Sequence, residues 1–366
     1  PILPEVIATI TTAMETVYGN PSSSHQIGRK AKSLVETARK NIAKHFNITA
    51  SEVFFTAGGS EADNLILRNA VLNLGVKTII SSKIEHHAVL HTIENLVQEF
   101  NVSVKWVDLN EFGEVNFNHL EELLTQSSEK KLVSLMYVNN EIGNILDLKK
   151  VSELCTATNT LFHSDTVQGI GHFKMDLQQT PIDFFVASAH KFHGPKGVGF
   201  ACIKKGFGIY PILHGGEQER GARAGTENVH SILGMEKALE IAYKNLDEET
   251  TYIQNLKSYF IKALKNNFEG ILFNGFSESE TKSSYIILNV RFPKDYAMLL
   301  FNLDLNGISV SGGSACQSGS TKGSHVLNAI FPEKEAIKTS IRFSFSKLNT
   351  VKEIDEVINT LKKHIL

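Results

Sequence analysis

The chain lacks several features that would place it in a specialised class. It has only three cysteines in 366 residues, Cys155, Cys202 and Cys316. Three thiols cannot form a disulfide framework, which excludes a stapled scaffold and fits a reducing, cytoplasmic setting. No apolar run is long enough to span a bilayer. Neither sign of charge dominates: 37 Lys and Arg face 39 Asp and Glu, for a formal net charge of −2. Nucleic acid and anionic membrane are therefore not the expected partners. The chain contains no internal repeat, low-complexity tract or long charge block. Its first residues, Pro1-Ile2-Leu3-Pro4, show no basic region followed by an apolar core, so no signal peptide is visible.

What is present is an ordinary globular composition, 42% hydrophobic and 21% charged. The length exceeds one common domain, so a large and a smaller domain are expected. Residues 26–46 place Ile27, Ala31, Leu34, Val35, Ala38, Ile42 and Phe46 at helical spacing. Short apolar or β-branched runs follow at 52–56, Thr78–Ser81, 102–107, 132–137, 161–163, 184–187 and 198–203. Between them, helices are predicted over 61–72, 87–99, 120–125 and 149–158. Such alternation predicts an α/β domain with a mainly parallel sheet covered on both faces. Ligands bind beyond the carboxyl ends of the strands in such sheets. A helix over 228–245 leads into a smaller α+β unit. That unit has a helix at 252–266, strands at 284–291 and Ser340–Ser344, and a last helix over 351–366. The predicted division is 10–245 for the large domain, with 1–9 and 246–366 in the small one.

Four segments carry chemistry. In Phe54-Phe55-Thr56-Ala57-Gly58-Gly59-Ser60-Glu61-Ala62-Asp63-Asn64 an apolar strand meets two glycines, and a helix opens with Ser60 as its expected cap. Glycine backbone N–H groups and a helix amino terminus suit a phosphate. A tight turn with a capping serine explains the same residues. In Phe162-His163-Ser164-Asp165-Thr166-Val167-Gln168, Asp165 follows a buried strand. A carboxylate there could hold a pyridinium nitrogen protonated, or simply cap the next helix. In Ala187-Ser188-Ala189-His190-Lys191-Phe192-His193-Gly194-Pro195, a strand delivers Lys191 to a turn. Partial desolvation and nearby cations would depress its pKa, as Schiff-base chemistry requires. The plainer reading is a lysine snorkelling from a strand end.

The fourth segment is Val310-Ser311-Gly312-Gly313-Ser314-Ala315-Cys316-Gln317-Ser318-Gly319-Ser320. So many glycines and serines disfavour a helix and predict a mobile loop. Cys316 there is either an accessible nucleophile or an incidental exposed thiol, with Lys322 and His325 available to assist its thiolate. Cys155 and Cys202 lie in core-like patterns and read as small buried residues. His87 and His91 are four apart, and His190 and His193 three apart. Either pair could be half a zinc site, yet no further Cys/His cluster completes one, so no metal is expected.

Together these segments resemble the cysteine desulfurases, a branch of the class V aminotransferases with the fold of type I pyridoxal 5'-phosphate (PLP) enzymes. The likeness runs from Gly19-Asn20-Pro21-Ser22-Ser23 to Ser340-Ile341-Arg342-Phe343. It includes Ile84-Glu85-His86, Val138-Asn139-Asn140-Glu141-Ile142-Gly143 and Arg220-Gly221-Ala222-Arg223-Ala224-Gly225-Thr226. The resemblance implies that Lys191 carries PLP, His86 stacks on its ring, and Asp165 pairs with the ring nitrogen. Asn140 and Gln168 would sit near the ring and its phenolic oxygen. Gly59, Ser60, Ser188 and His190 would hold the phosphate, with Thr226 reaching over from a second subunit of a homodimer. Asn20 and Arg342 would bind the substrate carboxylate, since a guanidinium clamps one through two hydrogen bonds.

Cys316 matches the persulfide-forming cysteine. The implied reaction takes sulfur from L-cysteine, leaves L-alanine, and passes the sulfur to an acceptor such as an iron–sulfur scaffold protein or a tRNA-thiolation carrier. Ser-Gly-Gly-Ser-Ala-Cys resembles the branch with a long cysteine loop, not the Arg-x-Gly-x-x-Cys branch. Gly59-Ser60 stands where an Ala-Thr pair is commoner, which keeps a hydroxyl. The Asn-Ala-Thr-Thr-like segment that usually opens these enzymes and lines the substrate pocket does not occur in the chain. Rival readings are a selenocysteine lyase, a plain aminotransferase, and a catalytically silent scaffold that binds a partner.

Overall fold

The computed structural model describes residues 1–312 and 323–365. Helices α1 (Pro4–Thr16) and α2 (Gln26–His45) lead into β1 (Val53–Thr56), α3 (Gly59–Leu72), β2 (Thr78–Ser81) and α4 (His87–Phe100). Then come β3 (Ser103–Trp106), α5 (Phe117–Thr125), β4 (Lys131–Ser134), α6 (Leu148–Ala157), β5 (Leu161–Ser164), β6 (Phe184–Ser188) and β7 (Gly199–Ile203). These strands form one sheet in the order β1-β7-β6-β5-β4-β2-β3. Pairing from β3 through β6 is parallel, and β7 runs antiparallel to both of its neighbours. The apolar runs are continuous because most of these strands are buried on both faces, as parallel sheets require. Edge strand β3 is the exception and alternates exposed with half-buried residues.

Helix α7 (Val229–Lys244) packs on α1 and α2, and α8 (Leu246–Asn267) carries the chain onward. Beyond it lie β8 (Leu272–Phe273), β9 (Ile287–Arg291), α9 (Leu299–Leu305), α10 (His325–Ile330), α11 (Glu333–Ala336), β10 (Ser340–Ser344) and α12 (Val351–Ile365). The second sheet is antiparallel, in the order β10-β9-β8. Its core joins Leu256, Phe260 and Leu264 of α8 to Leu288, Val290, Ile341 and Phe343 of the sheet and to Ile354, Ile358 and Leu361 of α12. The large sheet has separate apolar layers on its two faces, one centred on α2 and α7 and the other on α3 and α4.

Residues 1–9 group with the smaller unit in the sequence reading, but they pack elsewhere. Leu3 and Val6 enter the buried layer of α2 and α7, and Leu3 N–H donates to the carbonyl of His193. The physical reason is the α1 stripe that closes on α7, where Ile10 lies so near Gly234 that a Cβ would sit 2.6 Å from it. The two sheets are joined by backbone bonds: Ser284 N–H to Gly143 carbonyl, and Ile145 N–H to Lys282 carbonyl. Among the described residues no helix is long and apolar enough to cross a membrane.

Candidate active site

Four of the residues singled out in the sequence, His86, Asn140, Asp165 and Lys191, follow the carboxyl ends of β2, β4, β5 and β6, where this sheet type places ligands. His86 follows β2 and caps α4, its Nδ1 accepting the Ala88 N–H at 3.1 Å. That bond leaves Nε2 to carry the proton of the neutral ring. Asn140 follows β4 and is buried, and its Oδ1 has no hydrogen-bond partner among the described residues. Asp165 follows β5, is buried, and accepts the Val167 N–H at 3.0 Å. Lys191 lies in the short 3-10 turn Ala189–Phe192 after β6.

Asn140, Gln168, His190, Lys191 and Arg342 all line one cavity of about 190 Å³ between the two sheets. His86 and Asp165 interact electrostatically with each other and with Lys191. Burial pushes the Asp165 carboxyl above the usual carboxylate range, and His86 and Lys191 oppose that rise. Burial also lowers His86, and Lys191 and His325 push the same way. The Asp165 carboxyl opposes that lowering.

The amino end of α3 forms the second half of the site. Gly58 is its N-cap at φ +152°, and no side chain caps the helix. Ser60 is thus not the cap that the sequence suggests; it lies inside the first turn, exposed, because Gly58 makes the bend. Two close approaches require these glycines. A Cβ on Gly59 would meet Val167 at 2.6 Å, and one on Gly199 would meet the Ala187 carbonyl at 2.3 Å and Gly58 Cα at 2.8 Å. Ser188 Oγ sits 3.4 Å from where a Gly58 Cβ would be, and it pairs with His190 Nδ1 at 3.0 Å. An uncapped helix terminus beside two hydroxyls and an imidazole is a donor set suited to a phosphate.

Thr226 lies apart, exposed, in a cavity of about 200 Å³ with Thr56, Ala57 and Gly197. Its segment is held firmly. Glu219 and Arg220 are left-handed at φ +46° and +58°, and the Glu219 carboxylate accepts two bonds from Arg39 and one from the Phe55 N–H. Arg223 also binds Glu61 in the first turn of α3, at 2.8 Å. Asn20 does not join the Lys191 cavity. It is exposed, with Oδ1 accepting the Ser22 N–H at 2.9 Å. Cys316 and Lys322 lie outside the described residues. Cys155 and Cys202 are buried, and burial pushes both thiols up, away from the reactive thiolate.

The sequence reading missed several groups. His172 Nε2 meets the Lys191 carbonyl at 2.9 Å, and burial lowers that imidazole to about 4. Glu85, buried and pushed up to about 8 by burial, accepts from Ser82. His163 lies 3.4 Å from Asp63 beneath the sheet. Glu85, His163 and Asp63 fall inside motifs named for their neighbours, and no spacing marks these side chains or His172 as functional. His87 and His91 stack on each other, ring centres 4.8 Å apart. Among the described residues no group of three His, Cys, Asp or Glu is placed to hold a metal.

The aminotransferase class-V family profile matches residues 1–357. The chain is 40% identical over 367 residues to cysteine desulfurase IscS of Clostridium botulinum, covering 99% of this chain and 91% of that protein. It is 36% identical to cysteine desulfurase IscS of Dictyoglomus turgidum, covering 100% and 92%. The solved structure of a NifS-like protein superposes with a TM-score of 0.89 at 35% identity, covering 99% of this chain and 95% of that one. The chain belongs to the cysteine desulfurase branch of the class-V aminotransferases. As a class-V aminotransferase relative it is a PLP-dependent enzyme. The chemistry of the residues present suits that group: Lys191 could take the aldehyde, buried Asp165 could face the ring nitrogen, and the α3 terminus with Ser188 and His190 could take the phosphate.

Proposed function

We propose that this chain is a cysteine desulfurase that takes sulfur from L-cysteine, releases L-alanine, and leaves a persulfide on Cys316. The observation that carries this reading is the meeting of Lys191, Asn140, Gln168, His190 and Arg342 around one cavity, with Asp165 and His86 in electrostatic contact with the lysine. PLP, when bound, supplies the electron sink that stabilises negative charge at the substrate Cα. Asp165 would hold the ring nitrogen protonated. His86 would face the ring, and Asn140 and Gln168 would serve its polar edge. Gly59, Ser60, Ser188 and His190 would bind the phosphate, with Thr226 of a second copy completing that set in a homodimer.

Arg342 binds the substrate carboxylate, and Asn20 assists once the exposed turn that holds it meets substrate. Lys191 Nζ then takes the Cα proton, which a positioned amine does efficiently. Nε2 of His86 moves a proton to and from the substrate sulfur. The Cys316 thiolate forms the new S–S bond as the substrate C–S bond breaks, so one cysteine and one thiol become one alanine and one persulfide. The sulfur then passes to an acceptor protein such as an iron–sulfur scaffold or a tRNA-thiolation carrier. Replacing Lys191 by Ala tests the cofactor half of the reading. We expect loss of the visible absorbance band of the purified enzyme and a fall in alanine release of at least about 100-fold. An unchanged band and rate would overturn it.

A further inference from the structure

Glu141 is fully buried and has no place in the chemistry above, yet it ties a distant part of the chain to the site. Its carboxylate Oε2 accepts the Ser324 hydroxyl, and Oε1 faces His325 Nδ1 at 3.7 Å. His325 Nε2 in turn meets the Glu85 carbonyl at 2.9 Å, next to His86. Ser324 Oγ also accepts the Leu327 N–H at 3.0 Å, which caps α10. Glu141 is itself fixed: its N–H donates to Asn139 Oδ1, and its carbonyl accepts from Asn289 Nδ2, both at 2.9 Å. A carboxylate taken out of water in this way is costly unless its partners satisfy it. Among the described residues, one carboxylate oxygen has only the imidazole opposite it.

The neighbouring residue does the same for another stretch of chain. The Asn140 carbonyl accepts from Arg342 Nη1 at 2.6 Å, and Arg342 pairs through backbone and Nη2 with Ser311. Ser311 and Ser324 flank the stretch that contains Cys316. Two consecutive residues, 140 and 141, therefore fasten both flanks to the loop that lines the cofactor cavity.

We propose that Glu141 is a positioning residue: by holding Ser324 and His325 against the 139–145 loop, it sets where the Cys316 stretch re-enters the fold beside the cofactor site. The role rests on Cys316 being the sulfur carrier. It acts through placement and touches neither substrate nor cofactor, so it should separate sulfur transfer from the steps before it.

The test uses wild-type holoenzyme, E141A and E141Q, with S324A as a second variant that leaves the buried carboxylate in place. Three quantities are read: the visible cofactor band, its change on adding L-cysteine, and the rate at which Cys316 gains one sulfur by mass spectrometry. For E141A we expect the band and its change to be retained, KM for L-cysteine within about twofold, and persulfide formation slowed on the order of 10- to 100-fold. E141Q keeps an acceptor for Ser324 and should recover most of the rate, while S324A should show a smaller version of the E141A pattern. Wild-type persulfide rates in both E141A and S324A would overturn the role, as would band and persulfide lost in parallel in both. If wild-type enzyme gains no sulfur on Cys316, the sulfur-carrier reading falls and takes this role with it. An active wild type beside unimpaired variants removes only Glu141.

Discussion

At the residue scale, burial sets the protonation of the groups around Lys191. Glu85 is an example with a measurable consequence. Its carboxyl is pushed from 4.5 to about 8 by burial, against the hydrogen bonds from Ser82 and Met136 that favour the charge. The folded chain therefore keeps a proton that the unfolded chain releases above about pH 4.5. Its stabilising contribution is complete below that value and is lost as pH rises through about 8. His163 has the opposite sign: lowered to about 3 by burial, it weakens the fold as pH falls below 6.5. Glu85→Gln removes the first effect. The stability of E85Q relative to wild type, followed by melting, should rise from pH 5 to 8, by at most about 1.4 kcal/mol per pH unit. Parallel melting curves against pH would show that Glu85 is ionised in the fold.

At the element scale, most of the architecture was legible. The buried strands read as apolar runs because a parallel sheet hides both faces, and Thr78–Ser81 and Ser340–Ser344 match their predicted bounds. Lys191 and Asp165 stand out in the sequence because each follows a buried strand, which is where this sheet type places ligands, whereas His86 and Asn140 carry no such local signal and enter through the family resemblance. The place of α1 was not legible, since its contact with α7 depends on a long-range fit at Gly234. Nor was the Glu141–Ser324 bond, between residues 183 apart in sequence. Ser60 misled because capping preference favours serine locally, whereas the close approach of Gly58 and Gly199 decides where α3 starts. That approach yields a prediction. Gly199→Ala must displace the Ala187 carbonyl or Gly58, costing about 1–3 kcal/mol and weakening PLP binding through the moved α3 terminus. A melting curve and a cofactor titration check it; wild-type values in both would mean that the turn is not the phosphate cradle.

At the scale of the whole molecule, the proposed homodimer gives Thr226 its role, since it is exposed and lies outside the Lys191 cavity of its own chain. The chain also exposes Ile7, Met14 and Tyr18, at 51%, 62% and 75%, along and just beyond α1. Sedimentation should give twice the 40.5 kDa of one chain, and Thr226→Ala should weaken PLP binding without changing that mass. A monomer that binds PLP tightly would remove the second copy from the site.

The two ends of the chemistry, Lys191 and Cys316, come together in one measurement. Holoenzyme mixed with L-cysteine and analysed by mass spectrometry should gain one sulfur on the peptide containing Cys316, with one L-alanine released. Cys316→Ser should keep its cofactor band and gain none. Alanine and sulfide released by C316S at the wild-type rate, or sulfur found elsewhere, would contradict the account.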